Sequence, residues 1–88
     1  RILSPPEDAG QHEVYELDIN AGGELDSQPH ARGAREHLTV IEGTVEVTSS
    51  DASERLMPGD TARYAADVPH RIAAVAGPVR AFLVVQDA

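Results

Sequence analysis

The sequence predicts an all-β sandwich or barrel, and three observations carry that expectation. No stretch of ten residues keeps its apolar side chains at helical spacing. Short runs rich in Val, Ile, Thr and Leu recur along the chain, and within them apolar and polar residues tend to alternate. Gly, Pro, Asn, Asp and Ser fall between these runs at regular spacing, where turns between strands need them.

The elements follow in chain order. Pro5 and Pro6, then Glu7, Asp8, Ala9 and Gly10, predict an extended arm or linker over residues 1–10, because consecutive prolines favour extended backbone and cannot feed a helix interior. The barrel domain is expected over residues 11–88. Residues 12–19 form its first strand, with Tyr15, Leu17 and Ile19 on one face, and residues 20–23 form a turn. Residues 38–41 and 44–48 are rich in β-branched side chains. Glu42-Gly43 between them predicts a hairpin in which the glycine takes a positive φ. A polar tip over 49–53 leads to a short strand over 54–57, and Pro58-Gly59-Asp60 turns the chain into another over 61–64. Residues 70–75 and 79–85 complete the set, with Gly77-Pro78 as the turn between them. Residues 81–85 are apolar on both faces, where a strand facing solvent would alternate. A second copy of the chain, in a homodimer, is expected to cover the outer face.

Size and charge exclude several functions. The chain has 88 residues, enough for one small core, and a core of this size often recruits a metal or a partner for extra stability. Cysteine is absent, which removes disulfides, thiolate metal sites and thiol chemistry. The net charge of −8 would repel phosphate backbones, so no direct nucleic-acid contact is expected. No apolar run is long enough to span a bilayer and no secretion signal opens the chain, so no membrane association is expected and the expected location is cytoplasmic. All seven basic residues are Arg. The first residue is Arg1 rather than Met, and the chain is expected to be a piece of a longer polypeptide.

The chemistry concentrates in five residues. Strand residues two apart share a face, so an inward Glu36 carries Leu38 and Val40 inward and leaves His37 and Thr39 outside. If the preceding stretch keeps its inward register at His30 and Arg32, then a His, an Arg and a Glu converge on the interior, and His70 enters from another strand. Two imidazoles and one carboxylate can hold a divalent metal and leave positions open for a ligand. Tyr64 faces inward if Ala62 does, adding a phenol to the pocket.

These residues also carry a resemblance. His30-Ala31-Arg32, three residues, Glu36, six residues and Gly43 resemble the first motif of the cupin superfamily, His-x-His, three or four residues, Glu, six residues, Gly. Gly59 through His70 keeps the spacing of the second motif, with Ala65 in place of its Pro and Asp67 in place of its second Gly. The strings PHARGAREHLTVIEGTVEV and PGDTARYAADVPHR are similar to the carboxy-terminal cupin domain of XRE-type helix-turn-helix regulators. The resemblance implies a cupin-type double-stranded β-helix, or jelly-roll, and a metal set of His30, Glu36 and His70 for Zn, Fe, Mn or Ni. It implies a DNA-binding domain upstream of the arm. Arg32 stands where the family has a second His. A guanidinium cannot ligate a cation. It can pair with Glu36 and leave the site free of metal, or receive a carboxylate or phosphate of a small anionic ligand, and both readings stay open.

Three functions are weighed on these grounds. The first is a small-molecule sensor within a transcriptional regulator, with Arg32 and Tyr64 touching the ligand. The alternative is a small metal-dependent enzyme, a dioxygenase or an isomerase, against which the missing second His counts. The third is a storage or scaffold barrel with a vestigial pocket.

Overall fold

Two long strands organise the computed structural model, which describes residues 1–9 and 11–87. Gly10, counted in the arm, and Ala88, the end of the expected barrel, lie outside the described residues. The described strands are β1 (His12–Ile19), β2 (Glu24–Ser27), β3 (Arg35–Ser49), β4 (Ala52–Leu56), β5 (Thr61–Ala65) and β6 (His70–Gln86). β3 and β6 pair antiparallel from Arg35↔Gln86 to Ser49↔His70. β1 lies on the far side of β6 opposite Val79 to Gln86, and β5 lies beside β3 opposite Arg35 to Thr39. The other halves of the long strands pair with β2 and β4. The result is two layers, β1-β6-β3-β5 and β2-β6-β3-β4, that share the two long strands. Side chains of both layers, among them Leu38, Val40, Leu83 and Val85 from one and Val45, Val47, Leu56 and Ile72 from the other, form a single buried cluster. This is the expected all-β jelly-roll sandwich.

The expected hairpin at Glu42-Gly43 is absent. β3 runs through it without reversing, and β6 runs equally through Gly77-Pro78. Both sites are instead facing irregularities. The register shifts between Val40 and Val45 on β3, opposite Ala74 to Ala81 on β6, where the partners change from β1 and β5 to β2 and β4. Gly43 does take a positive φ, 86°, but to make a bulge rather than a turn. A Cβ there would collide with the Pro78 carbonyl oxygen and Val79. A glycine with positive φ between two β-branched runs suits either geometry, and only the partner strand decides.

β2 is not legible in the sequence, because Glu-Leu-Asp-Ser holds one apolar residue, Leu25, and that side chain is exposed. Pairing with the start of β6 makes it a strand, placing Ser27 opposite His70. The first four residues lie along the outer edge of β1. The amides of Leu3 and Ser4 donate to the Val14 carbonyl at 2.6 and 3.3 Å, the Val14 amide donates to Ser4 Oγ, and Ile2 bridges Tyr15. A single 3-10 turn, Pro6–Asp8, follows. On the terminal half of β6, Ala81, Leu83 and Val85 are buried, Val84 is half-buried and Phe82 is exposed on the outer face.

Candidate functional site

Glu36 is the second residue of β3 and faces Tyr64 on one neighbour and Val85 on the other. Glu36, Leu38 and Val40 are buried while His37 and Thr39 are half-buried, as period-two alternation from an inward Glu36 requires. A carboxylate in that position is removed from water and needs partners. His70, the first residue of β6, supplies one, because its pairing with Ser49 and Ser27 directs it inward. His30 supplies another from the segment between β2 and β3. That segment is tied down by the backbone, with the His30 amide donating to the Ala66 carbonyl at 2.8 Å and the Ala66 amide donating to Ala34 at 2.9 Å. The Ser50 amide donates to the Pro69 carbonyl, which fixes the approach to His70.

The three side chains meet. His70 Nε2 lies 3.1 Å and His30 Nε2 3.3 Å from Glu36 Oε2, and one ligating atom from each residue falls within 4.8 Å of the others. The fourth group is Tyr64, whose hydroxyl donates to Glu36 Oε1 at 2.6 Å. Burial first, and then the charge of Glu36, pushes the phenol far above its ordinary range, so it remains an O–H donor.

His70 Nδ1 is 2.8 Å from the Val68 carbonyl oxygen. A carbonyl only accepts, so Nδ1 carries the hydrogen and the lone pair of a neutral ring sits on Nε2. That lone pair faces a carboxylate oxygen. The contact is attractive only if a proton or a metal ion lies between them, and an Nδ1–H anchored on a backbone carbonyl is the arrangement that orients metal-binding imidazoles. The residues present therefore fit a divalent cation of the first transition row, with two imidazole nitrogens and one carboxylate oxygen as donors.

Arg32 is not brought to this cluster. The chain turns over residues 31–34, with the Ala34 amide donating to the Ala31 carbonyl and Gly33 at φ 88°. The turn ends the two-residue alternation that would have aligned Arg32 with His30, and leaves Arg32 exposed at its corner. Asp67, in place of the motif's second Gly, anchors the turn through its Oδ2 and the Gly33 amide at 2.9 Å. Among the described residues Arg32 forms no ion pair. Glu36 contacts His30, His70 and Tyr64 instead, and Glu24 faces Arg71.

A cavity of about 450 Å³ lies beside His70, lined also by Ser27, Thr48, Pro69 and Arg71, and two others border Glu36 and Tyr64. One, of about 210 Å³, opens between β1 and β2 and is lined by Tyr15, Leu17, Ser27, His30, Glu36 and Leu83. The other, of about 190 Å³, lies between β4 and β5 and includes Val47, Ala62 and Tyr64. Glu36 borders the first of these two and Tyr64 the second, so their hydrogen bond runs between the two. Glu13, Tyr15 and Leu17 line the 210 Å³ cavity although the sequence predicts only a strand for them, and their shared face is the signal for it. Ser27 had no such signal, since β2 itself is not legible.

Four similarities to known proteins bear on this geometry. A family model described as "Cupin domain" matches residues 15–85. The HTH-type transcriptional regulator SutR of Escherichia coli (strain K12) is 33% identical over 58 residues, which is 66% of this chain and 33% of that protein. The crystal structure of an HTH_3 family transcriptional regulator from Vibrio cholerae superposes with a TM-score of 0.88 at 28% identity, covering 97% of this chain and 48% of that one. A cupin domain of an XRE family transcriptional regulator from Enterobacter cloacae gives 0.86 at 25% identity over 98% of this chain and 92% of its own. The chain thus spans a third of SutR and about half of the Vibrio protein, while it matches the isolated Enterobacter domain nearly end to end. With a family model covering all six strands in part or whole and ligating atoms of the motif residues His30, Glu36 and His70 lying within 4.8 Å of one another, the chain belongs to the cupin family.

Proposed function

We propose that this domain is the small-molecule sensor of a transcriptional regulator, and that His30, Glu36 and His70 hold a divalent metal at the floor of its pocket. The observation that carries the reading is the convergence of two imidazoles and one carboxylate, from three separate parts of the chain, beside the 210 Å³ cavity that His30 and Glu36 line. Zn, Fe, Mn and Ni all accept this donor set. A bound cation of this kind supplies Lewis acidity and open positions for an oxygen or nitrogen atom of a ligand.

The chain's own residues do the rest. Leu17, Leu83 and Val85 form an apolar wall against which the carbon skeleton of a small ligand packs, and Tyr15 and Ser27 offer hydroxyls along it. Arg32, exposed on the turn that follows His30, extends a guanidinium to an anionic ligand from outside the cavity. Residues 1–10 serve as the arm from a DNA-binding domain and residues 11–88 as the sensor in the cytoplasm, while the charge of −8 leaves DNA contact to that other domain. Phe82 and Val84, on the outer face of β6, are the surface at which a second copy would pack. The relatives described above are regulators, which favours sensing over the dioxygenase or isomerase alternative.

Elemental analysis of protein purified without chelator or metal-affinity resin, followed by calorimetric titration with Zn²⁺, Fe²⁺, Mn²⁺ and Ni²⁺, tests the metal. Near-stoichiometric metal or saturable binding is expected. Absence of both would remove the metal from the proposal. For the sensing role, the full-length polypeptide should bind DNA differently with and without its ligand, and indifference to every ligand that fills the cavity would end it.

A further inference from the structure

We propose that Tyr64 is a positioning residue for the metal centre: its hydroxyl holds Glu36 Oε1, so that the carboxylate turns Oε2 alone toward the two imidazoles. The inference rests on the metal-binding reading above and adds to it the way in which Glu36 binds.

The division of the carboxylate is already visible. Both Nε2 atoms address Oε2, at 3.1 and 3.3 Å, and only the Tyr64 hydroxyl addresses Oε1, at 2.6 Å. Glu36 and Tyr64 are direct cross-strand partners on β3 and β5, so the sheet register fixes the distance between their Cβ atoms. Tyr64 is 9% exposed and Glu36 3%, which leaves little room for water to replace the phenol as donor.

A carboxylate with both oxygens free can bind a cation through two bonds as well as through one. With Oε1 held from behind, Glu36 supplies a single oxygen, and the protein provides three donors in all. More coordination positions then remain for a small molecule entering from the cavity beside His30. The role also explains why a tyrosine is buried next to an acid. A phenylalanine would fill the same volume in the core but would leave Oε1 without a donor.

The test uses the Tyr64→Phe variant and Co²⁺ and Zn²⁺ as probes. Calorimetry should show Zn²⁺ affinity falling by roughly 10- to 100-fold, the usual effect of removing a group that orients a ligand. The visible absorption of the Co²⁺-loaded variant should differ from wild type in position and intensity, because a second carboxylate oxygen raises the coordination number. Wild-type affinity together with a wild-type cobalt spectrum would overturn the proposal. So would a lower melting temperature with an unmoved spectrum, which is what a packing role alone produces. If the variant does not fold, the metal-induced infrared difference spectrum of the wild-type protein decides. Wide splitting of the carboxylate bands marks a one-oxygen ligand and supports the proposal, and narrow splitting marks a chelating one and overturns it. A wild-type protein that takes up neither ion overturns the metal-binding reading itself, an outcome distinct from the others.

Discussion

His30 and His70 hold their rings 5.0 Å apart and address the same Glu36 oxygen, yet the His70 side chain is 2% exposed and that of His30 is 36% exposed. Equal partners around Glu36 are therefore unequal partners in stability. Replacing His70 by Ala leaves the Val68 carbonyl without its donor, strips Glu36 of a buried partner and opens a void among β2, β3 and β6. Each consequence is costly inside a protein, and a loss of about 2–4 kcal/mol is expected. His30→Ala removes a half-exposed ring whose place water can take, and should cost less than about 1 kcal/mol. Urea denaturation of both variants in the presence of EDTA measures the difference. Equal losses would mean that His70 contributes no more to the metal-free fold than a surface residue.

Metal addition should add a further, equal loss to both histidine variants. An ion that binds only the folded chain, present at one hundred times its dissociation constant, stabilises it by about 2.7 kcal/mol. For a domain of this size that is a rise of roughly 10–20 °C in melting temperature. EDTA should abolish the rise in wild type, and both His30→Ala and Glu36→Ala should lack it. Arg32→Ala should keep it in full, since Arg32 lies on an exposed turn away from the cluster. Thermal melts with and without Zn²⁺ and EDTA give the comparison, and a rise that survives in Glu36→Ala would place the metal elsewhere.

Much of this site was legible because strand alternation is a strong rule. An inward Glu36 predicts buried Leu38 and Val40, and the structure has them. The meeting of His30, Glu36 and His70 was legible only through motif spacing, because no local pattern tells that residues 34 positions apart will touch. Arg32 shows where such reasoning runs out. Its turn depends on the Asp67 carboxylate, itself 34 positions from Gly33, and nothing near residue 32 announces that contact. The strands β3 and β6 show a second limit. Gly43 and Gly77-Pro78 carry the local chemistry of turns, and their use as facing bulges is decided by pairing between the two strands.

Tyrosine ionisation should report on the buried pair from the alkaline side. The chain has two tyrosines, and both are pushed above the ordinary value near 10, Tyr15 by burial and by Glu13, and Tyr64 much more strongly by burial and by Glu36. Where the folded state holds a phenol proton that the unfolded chain releases, stability is intact below about pH 10 and declines as pH rises above it. Tyr64 should therefore ionise only when the sandwich opens. Its tyrosinate absorbance is expected to appear together with the loss of far-ultraviolet circular dichroism, and Tyr64→Phe should remove that step. A Tyr64 that titrates while the dichroism is unchanged would show that the phenol is reachable by solvent in the folded protein.

Gly43 tests the reading of β3 as one continuous, bulged strand. At a hairpin turn exposed to solvent, replacing a glycine of positive φ by alanine incurs only the backbone strain of that conformation, on the order of 1–2 kcal/mol. Here the added methyl would also meet the Pro78 carbonyl and Val79 across the sheet, and backbone atoms cannot swing aside as a side chain can. The two effects together should cost roughly 3 kcal/mol or more, a fall in melting temperature of more than about 10 °C. The damage should spread beyond the bulge, because both layers hang from the strands that bend there. Hydrogen exchange would then show weakened protection at Val45 and Val47 as well as at Leu38 and Val40. A loss no larger than that of an exposed turn glycine, confined to the neighbours of residue 43, would mean that the close approach of β6 to this position is not part of what holds the sandwich together.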